Sequence, residues 1–493
     1  MAKSRVLFIA PLPPPVHGSA MVSQYIKDSK LVNELHDCDF VNLSTSRRMD
    51  EIGKGGMKKL LRFIGSYLAL LGKLLTHRYD LCYLAITCHG MGFLKDAPFV
   101  LLCKLFRRKV LIHQHNKGMS HCVNRWPYRW LMPLVYRNTR VMLLSWHLYD
   151  DIAAVVKREQ VVICANGIPQ QSNNNPCTLN SKQVGSHTDF TDYTDGKSLM
   201  PLLASGVSAI NEGERLKAAE QRLIATESQV KSCKAAVKPE SSLLTAHSSS
   251  LSNSTQEYFH TDFTDYTDGK SLTPLLASGG AAINEGERLK VNGEWVTAMS
   301  ATPSPSGEGW GEAPHLLFLS NLIPSKGVYV LLDACRMLHE RGLTFVCDFV
   351  GGETKEIDRA TFEAAVKERG LEGIARYQGP KYGEEKERYF AEADIFVQPT
   401  YEDCFPLTIV EAMQHRLPVV STTEGAVPDL IQHGVNGYTV ARKEAAPLAE
   451  ALAQLITDPA LRTAMGEAGY ARYREQYTLE AFECRFVAQL MQR

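Results

Sequence analysis

Thr400–Met413 reads TYEDCFPLTIVEAM and places two carboxylates, Asp403 and Glu411, eight positions apart around an apolar turn. A proline in the first turn of a helix forfeits no backbone donor, so Pro406 predicts a helix over 406–414. The leading N–H groups of that helix lack intrahelical acceptors and favour an anion such as a phosphate. Asp403 then stands before the first turn, and Glu411 lies about two turns inside the helix. The spacing suits a nucleotide sugar: one carboxylate meets sugar hydroxyls, the other meets ribose hydroxyls, and the diphosphate lies between.

Outward from this stretch, the last third alternates β-rich runs (HLLFLSNL, FVCDFVGG, ADIFVQPT, PVVST) with helical segments near 327–341, 357–370, 406–414 and 445–457. The first third does the same with RVLFIA, LCYLAIT, KVLIHQH, VMLLSW and VVICANGI. Alternation of this kind predicts parallel sheets covered by helices, hence two α/β domains of the doubly wound, Rossmann-like type. We place the first over 1–170 and the second over 314–477.

The stretch between them has a different character. His187–Lys217 and His260–Lys290 agree at 28 of 31 positions with an offset of 73, separated by unrelated Ser- and Ala-rich sequence. Two separated copies do not stack as a solenoid. The segment has few large apolar residues and ends in the low-complexity run SATPSPSGEGWGEAP, so 171–313 is read as a largely disordered insertion. Its near-identical copies suggest a duplicated genetic element read through in frame; the alternative is a partner-binding arm. Lengthening a connection from about ten to about 145 residues costs only about 2 kcal/mol, so the flanking domains are expected to fold, with weakened mutual orientation and added exposure to proteases.

The 493 residues carry no net formal charge, which argues against a nucleic-acid binder. The balance is uneven: residues 1–169 hold 24 basic and 11 acidic residues (+13), 170–313 hold 11 and 17 (−6), and 314–493 hold 19 and 26 (−7). A basic first third is expected either to face something anionic, such as a membrane surface or a phosphorylated acceptor, or to be simply a solvated face. Twelve cysteines without a C-x-x-C pair fit neither a zinc site nor a disulfide framework and are read as reduced and mostly buried. No run reaches the roughly 18 apolar residues of a spanning helix. Within Met57–Leu75 the apolar residues form one helical stripe with Lys58, Lys59, Arg62 and Lys73 off it. Two expectations follow: a helix packed on its own domain, or one that meets anionic lipid.

With the domains and the carboxylate pair in view, the chain resembles the retaining family-4 glycosyltransferases of the GT-B fold. The likeness covers about 1–170 and 314–493 and runs most strongly from Ala393 through GVNGYTV at 434–440. The family carries a glutamate, seven residues and a second glutamate; here the pair is Asp403 and Glu411, with Glu402 beside the shorter acid. FLSNLIPSKGVYVLLDA at 318–334 resembles the family's other donor motif, in which an arginine and a lysine hold the diphosphate. Lys326 occupies the lysine position and Asn321 the arginine position. PLPPPVHGSAMVSQYI resembles the glycine loop that approaches the donor phosphate, which makes Gly18 the candidate. LIHQHNKG at 111–118 ends a strand where the family often has a histidine reaching the transferred sugar. His115 is the first choice and His113 the second, because alternate strand residues share a face. The terminal YTLEAFECRFVAQLMQ resembles the helix that crosses back onto the first domain, which places 478–493 there.

The resemblance implies retaining transfer of a sugar from a nucleotide-diphosphate donor to a hydroxyl on a saccharide or lipid-linked acceptor, in cell-surface polysaccharide or glycolipid assembly. The site implied comprises Lys326, Asp403, Glu411 and His115, with Gly18, Asn321, Glu402, Phe405, Pro406, Leu407, Thr408 and His113 as donor contacts. No metal or other cofactor is expected, and the setting is cytoplasmic, at the inner face of the plasma membrane. The alternatives are another GT-B enzyme such as a nucleotide-sugar epimerase, or a non-catalytic nucleotide-sugar-binding protein disrupted by the insertion.

Overall fold

The computed structural model describes residues 3–14, 18–46, 56–170, 289–291, 294–296 and 313–492. In the first domain, β1 (Ser4–Ala10), β2 (His36–Asn42), β3 (Leu81–Ile86), β4 (Val110–Gln114), β5 (Arg140–Leu143) and β6 (Val161–Ile163) form one parallel sheet in the order β2-β1-β3-β4-β5-β6. All six residues of β3 and all five of β4 are buried, because helices cover both faces and leave no polar side for these apolar runs to alternate with.

Between the two domains, the described residues are β7 (Leu289–Val291) and β8 (Glu294–Val296), an antiparallel pair. Apart from the start of β7, both repeats lie outside the described residues, as does the predicted disorder of the segment.

The second domain has β9 (His315–Leu319), β10 (Val346–Val350), β11 (Ala375–Gly379), β12 (Ile395–Gln398), β13 (Val419–Thr422) and β14 (Gly437–Val440). Their order is β11-β10-β9-β12-β13-β14, again parallel throughout. Open α/β sheets bind ligands beyond the carboxyl ends of strands where the winding reverses. Those points are β1/β3 in the first sheet and β9/β12 in the second.

The helix Leu479–Met491 packs Phe482, Phe486, Val487 and Leu490 against Val6, Phe8, Tyr83 and Leu111 of the first domain. Arg485 donates to the carbonyl of Ala165 at 3.1 Å. Where the chain returns, Ile168 bridges Thr478 and donates its N–H to Tyr477 at 3.0 Å. Gly167 is needed there, since a Cβ would lie 2.8 Å from the Thr478 carbonyl carbon.

Met57–Thr76 is a single helix, but its apolar residues divide between two faces. Leu70 and Leu74 are buried, and Phe63, Tyr67 and Leu71 pack against the core. Met57, Leu60, Leu61, Ile64, Leu68 and Leu75 face outward. Of the cations expected off the stripe, Lys73 is engaged by Asp39 at 2.5 Å and Arg62 by the carbonyl of Thr45 at 2.8 Å.

Candidate functional site

The loop after β9 closes in a tight turn, Pro324–Lys326, followed by Gly327 at φ 88°. A Cβ at Gly327 would meet the Pro399 carbonyl carbon at 2.7 Å, so glycine lets this turn lie directly on the loop after β12. That contact brings Lys326 to Asp403: its ammonium donates to Asp403 Oδ2 at 2.7 Å and to the Glu402 carbonyl at 3.0 Å. An ammonium has three N–H bonds, so one remains for a ligand. The other carboxylate oxygen of Asp403 accepts from the Cys404 N–H at 2.9 Å, which fixes the side chain over its own loop. Glu402 contributes its carbonyl here, while its side chain is exposed.

The helix of the opening motif begins at Leu407, one residue later than predicted. Pro406 is its N-cap, in extended conformation (φ −70°, ψ 104°), and its carbonyl accepts from Ile409 at 3.1 Å. Phe405 is buried edge-on against Tyr477, and the Thr408 hydroxyl donates to Gln398 Oε1 at 2.7 Å, so both brace the turn. From the first domain, Gly18, which opens the helix Gly18–Asp28, faces this turn; a Cβ on it would lie 3.8 Å from Leu407 Cδ1.

Glu411 points from the next turns toward Lys386, 2.9 Å away on the helix Gly383–Glu392. Burial pushes its carboxyl above the usual value, against the pull of Lys386. Tyr25 of the first domain is close enough for Glu411 to add to the upward shift that burial imposes on its phenol. The carboxamide oxygen of Asn321 accepts the Gly352 N–H at 3.1 Å, so this side chain holds the glycine loop after β10.

The two histidines at the end of β4 separate. His115 lines a cavity at the carboxyl edge of the first sheet. His113 lies beneath it, ring centroids 4.0 Å apart, fully buried and hydrogen-bonded through Nδ1 to the Tyr83 hydroxyl at 2.7 Å. Burial, then the neighbouring His115, holds its pKa well below the usual value. A donor contact from His113, expected as second choice, is thereby closed off: shared strand parity put both rings on one face, but only His115 extends past the sheet edge.

Several groups at the site carry no motif. Glu424, after β13, is 1% exposed and accepts from Arg442 at 2.8 Å and from the Asp403 N–H at 3.2 Å. Its other partner is Lys117, which reaches across from the first domain. Gly425 (φ 55°) allows this approach, because a Cβ there would lie 2.8 Å from the Cys404 carbonyl oxygen. Beside this contact, a cavity of about 420 Å³ is lined from both domains by Lys117, Ser120, His147, Glu424 and Arg442. His147 Nε2 lies 3.4 Å from Asp429 Oδ1, a second polar contact between the domains. The Lys117 loop is held by Asp151, whose carboxylate accepts from the N–H groups of Gly118, Met119 and Ser120 and from the Ser120 hydroxyl at 2.7–3.1 Å. Burial raises its pKa, but those hydrogen bonds outweigh burial and leave the carboxyl below its usual value.

Comparison with known proteins fits this geometry. Residues 306–472, which span the second domain, match the family model Glycosyl transferases group 1. The chain is similar to the amylovoran biosynthesis glycosyltransferase AmsK of Erwinia amylovora, 32% identical over 170 residues (32% of this chain, 41% of AmsK). It is also similar to D-inositol 3-phosphate glycosyltransferase of Corynebacterium aurimucosum, 31% identical over 156 residues (31% of this chain, 37% of that enzyme). The chain thus spans about two-fifths of the length of these relatives. Among solved structures it is similar to Anabaena HepE in complex with UDP, with TM-score 0.55, 13% identity and 99% of each chain covered. Sucrose-phosphate synthase from Thermosynechococcus elongatus gives TM-score 0.56 at 12% identity, with 99% of this chain and 98% of that one covered. The architecture is therefore GT-B.

Proposed function

We propose that the chain transfers a sugar from a nucleotide-diphosphate donor to an acceptor hydroxyl, with retention at the anomeric carbon. The observation that carries the reading is the convergence of Lys326, the Asp403 carboxylate and the start of the helix Leu407–Gln414 at the switch point of the second sheet. Lys326 and the helix-end N–H groups stabilise the departing diphosphate. Asp403 orients the sugar, Glu411 holds the ribose, and the acceptor attacks on the side the diphosphate leaves. A UDP-sugar is the first donor to test, since HepE was solved with UDP. The test is thermal stabilisation of the full chain by a panel of nucleotide sugars, together with donor consumption. At least one donor should stabilise the chain and be consumed faster with an acceptor than without; stabilisation by none would sink the reading. Consumption that needs no acceptor would favour an epimerase.

Polysaccharide or glycolipid assembly, on a lipid-linked acceptor at the inner membrane face, is the setting we propose. The name of AmsK, a biosynthesis glycosyltransferase, supports the assembly role, and the outward leucines of Met57–Thr76 support the membrane contact. Leu61, Leu68 and Leu75 are 61%, 57% and 67% exposed, with the exposed Lys58 at the same helix's start. Among the described residues no helix is long and apolar enough to cross a membrane, so contact would lie in the interface plane. The full chain should co-sediment with phosphatidylglycerol vesicles, and the pair Leu61→Asp, Leu68→Asp should weaken that binding by about ten-fold or more. Equal binding by both forms would remove this helix from the contact.

A further inference from the structure

We infer that Lys386 is a positioning residue for the donor: it fixes the Glu411 carboxylate for the two ribose hydroxyls. The inference rests on the transferase reading, which gives the ribose to Glu411 and assigns nothing to Lys386.

Glu411 sits on the helix Leu407–Gln414 and Lys386 on the helix Gly383–Glu392. The ammonium donates to Glu411 Oε1 at 2.9 Å, and each side chain is 23% exposed. A second contact lies one turn away: His415 Nε2 meets Glu387 Oε2 at 2.9 Å, and the imidazole stacks on Phe390 with ring centroids 4.9 Å apart. Consecutive residues of one helix thus engage residues one turn apart on the other. The two contacts together fix where the Lys386 stem leaves its helix. An ionised carboxylate has about four acceptor sites, and Lys386 occupies one of them. The rest serve ligand hydroxyls. A glutamate ordered beforehand also spares the ligand the entropy of ordering it.

The charge on Glu411 depends on the same contact. Burial pushes its carboxyl upward and Lys386 pulls it down, with Glu387 adding to the rise and His415 opposing it. For Lys386, burial acts to lower the pKa, but Glu411 outweighs burial and leaves the ammonium above its usual value. The remaining titratable group near the pair is Tyr25 of the first domain, whose phenol is raised by burial and then by Glu411, against Lys386. It stays protonated at neutral pH. A protonated carboxyl loses the charge that makes its hydrogen bonds to hydroxyls strong. Without the ammonium the Glu411 pKa rises further, so the carboxylate is lost sooner as pH falls.

The test is isothermal titration of the full chain with UDP and GDP and with their 2′,3′-dideoxy counterparts, which keep base and diphosphate but lack both hydroxyls. Wild type should prefer the ribose form of the better nucleotide about ten-fold or more, the worth of hydrogen bonds to a charged acceptor. Lys386→Met should cut that preference to about three-fold or less while the dideoxy form binds as in wild type. Lys386→Arg should restore it. As pH is lowered from about 8 to about 5.5, the preference should fade at a higher pH in K386M than in wild type, and the ratio of the two nucleotides cancels the titration of their phosphates. Combining K386M with Glu411→Gln should cost no more preference than E411Q alone. Four results would each overturn the proposal and leave the donor site standing: no preference in wild type, an undiminished one in K386M, an unmoved pH profile, or additive losses, which put Lys386 on the ribose itself. Failure of wild type to bind any of these nucleotides overturns the proposal and the donor reading together. Should K386M lose the dideoxy form as well, Lys386→Gln decides, since the amide keeps a hydrogen-bond donor without the charge. Its preference should again fade at a higher pH, and an unmoved profile overturns the proposal.

Discussion

Lys326→Ala lowers the rate of nucleotide release from the donor by about 10²–10³-fold, the expected cost of removing one preorganised charge from a leaving group. The effect should fall on kcat more than on donor affinity, because charge grows on the diphosphate only as the glycosidic bond breaks. The second cation that the family motif would supply is here Asn321, whose carboxamide oxygen is taken by Gly352. Lys326 therefore carries the cationic share of that motif alone, with only the helix-end N–H groups beside it. Steady-state turnover with isothermal titration of the donor separates the two quantities. Turnover within about two-fold of wild type would remove Lys326 from the chemistry.

Glu424→Ala is expected to have the largest effect on stability. It strips the buried acceptor from Lys117, Arg442 and the Asp403 N–H together, and removing one member of a buried ion pair costs about 3–5 kcal/mol. Lys117 is 28% exposed and Arg442 54% exposed, so water recovers part of the loss and the lower end applies. A fall in Tm of about 5–10 °C follows for domains of this size. Glu424→Gln, which keeps an acceptor for the Asp403 N–H, should lose less. Lys117→Met cuts only the cross-domain arm: donor-domain stability should hold while small-angle scattering shows a wider spread of domain separations. An unchanged Tm in E424A would mean that the contact contributes nothing net.

The sequence was most legible where burial is complete. The central strands, such as LCYLAI, read as uninterrupted apolar runs because both faces are covered. The strands it did not disclose are HDCDFVN, ARYQG and GYTV, all at sheet edges, where one side lacks a neighbour and polar residues break the pattern. Within the site, Lys326 and Asp403 were legible because each sits in a motif with fixed spacing. Glu424 and Lys117 were not: their significance comes from partners 307 positions apart. The only local hint for Glu424 was the adjoining glycine, whose left-handed backbone allows the close approach to Cys404. His113 shows the reverse limit, since strand parity gives the face but not the depth.

The helix Leu479–Met491 belongs by sequence to the end of the chain and by packing to its beginning. The first domain is thus completed by a segment that the second domain carries with it, through an ordered link at Tyr473–Thr478. This short link holds the two halves at a high effective concentration whatever the length of chain between residues 170 and 313.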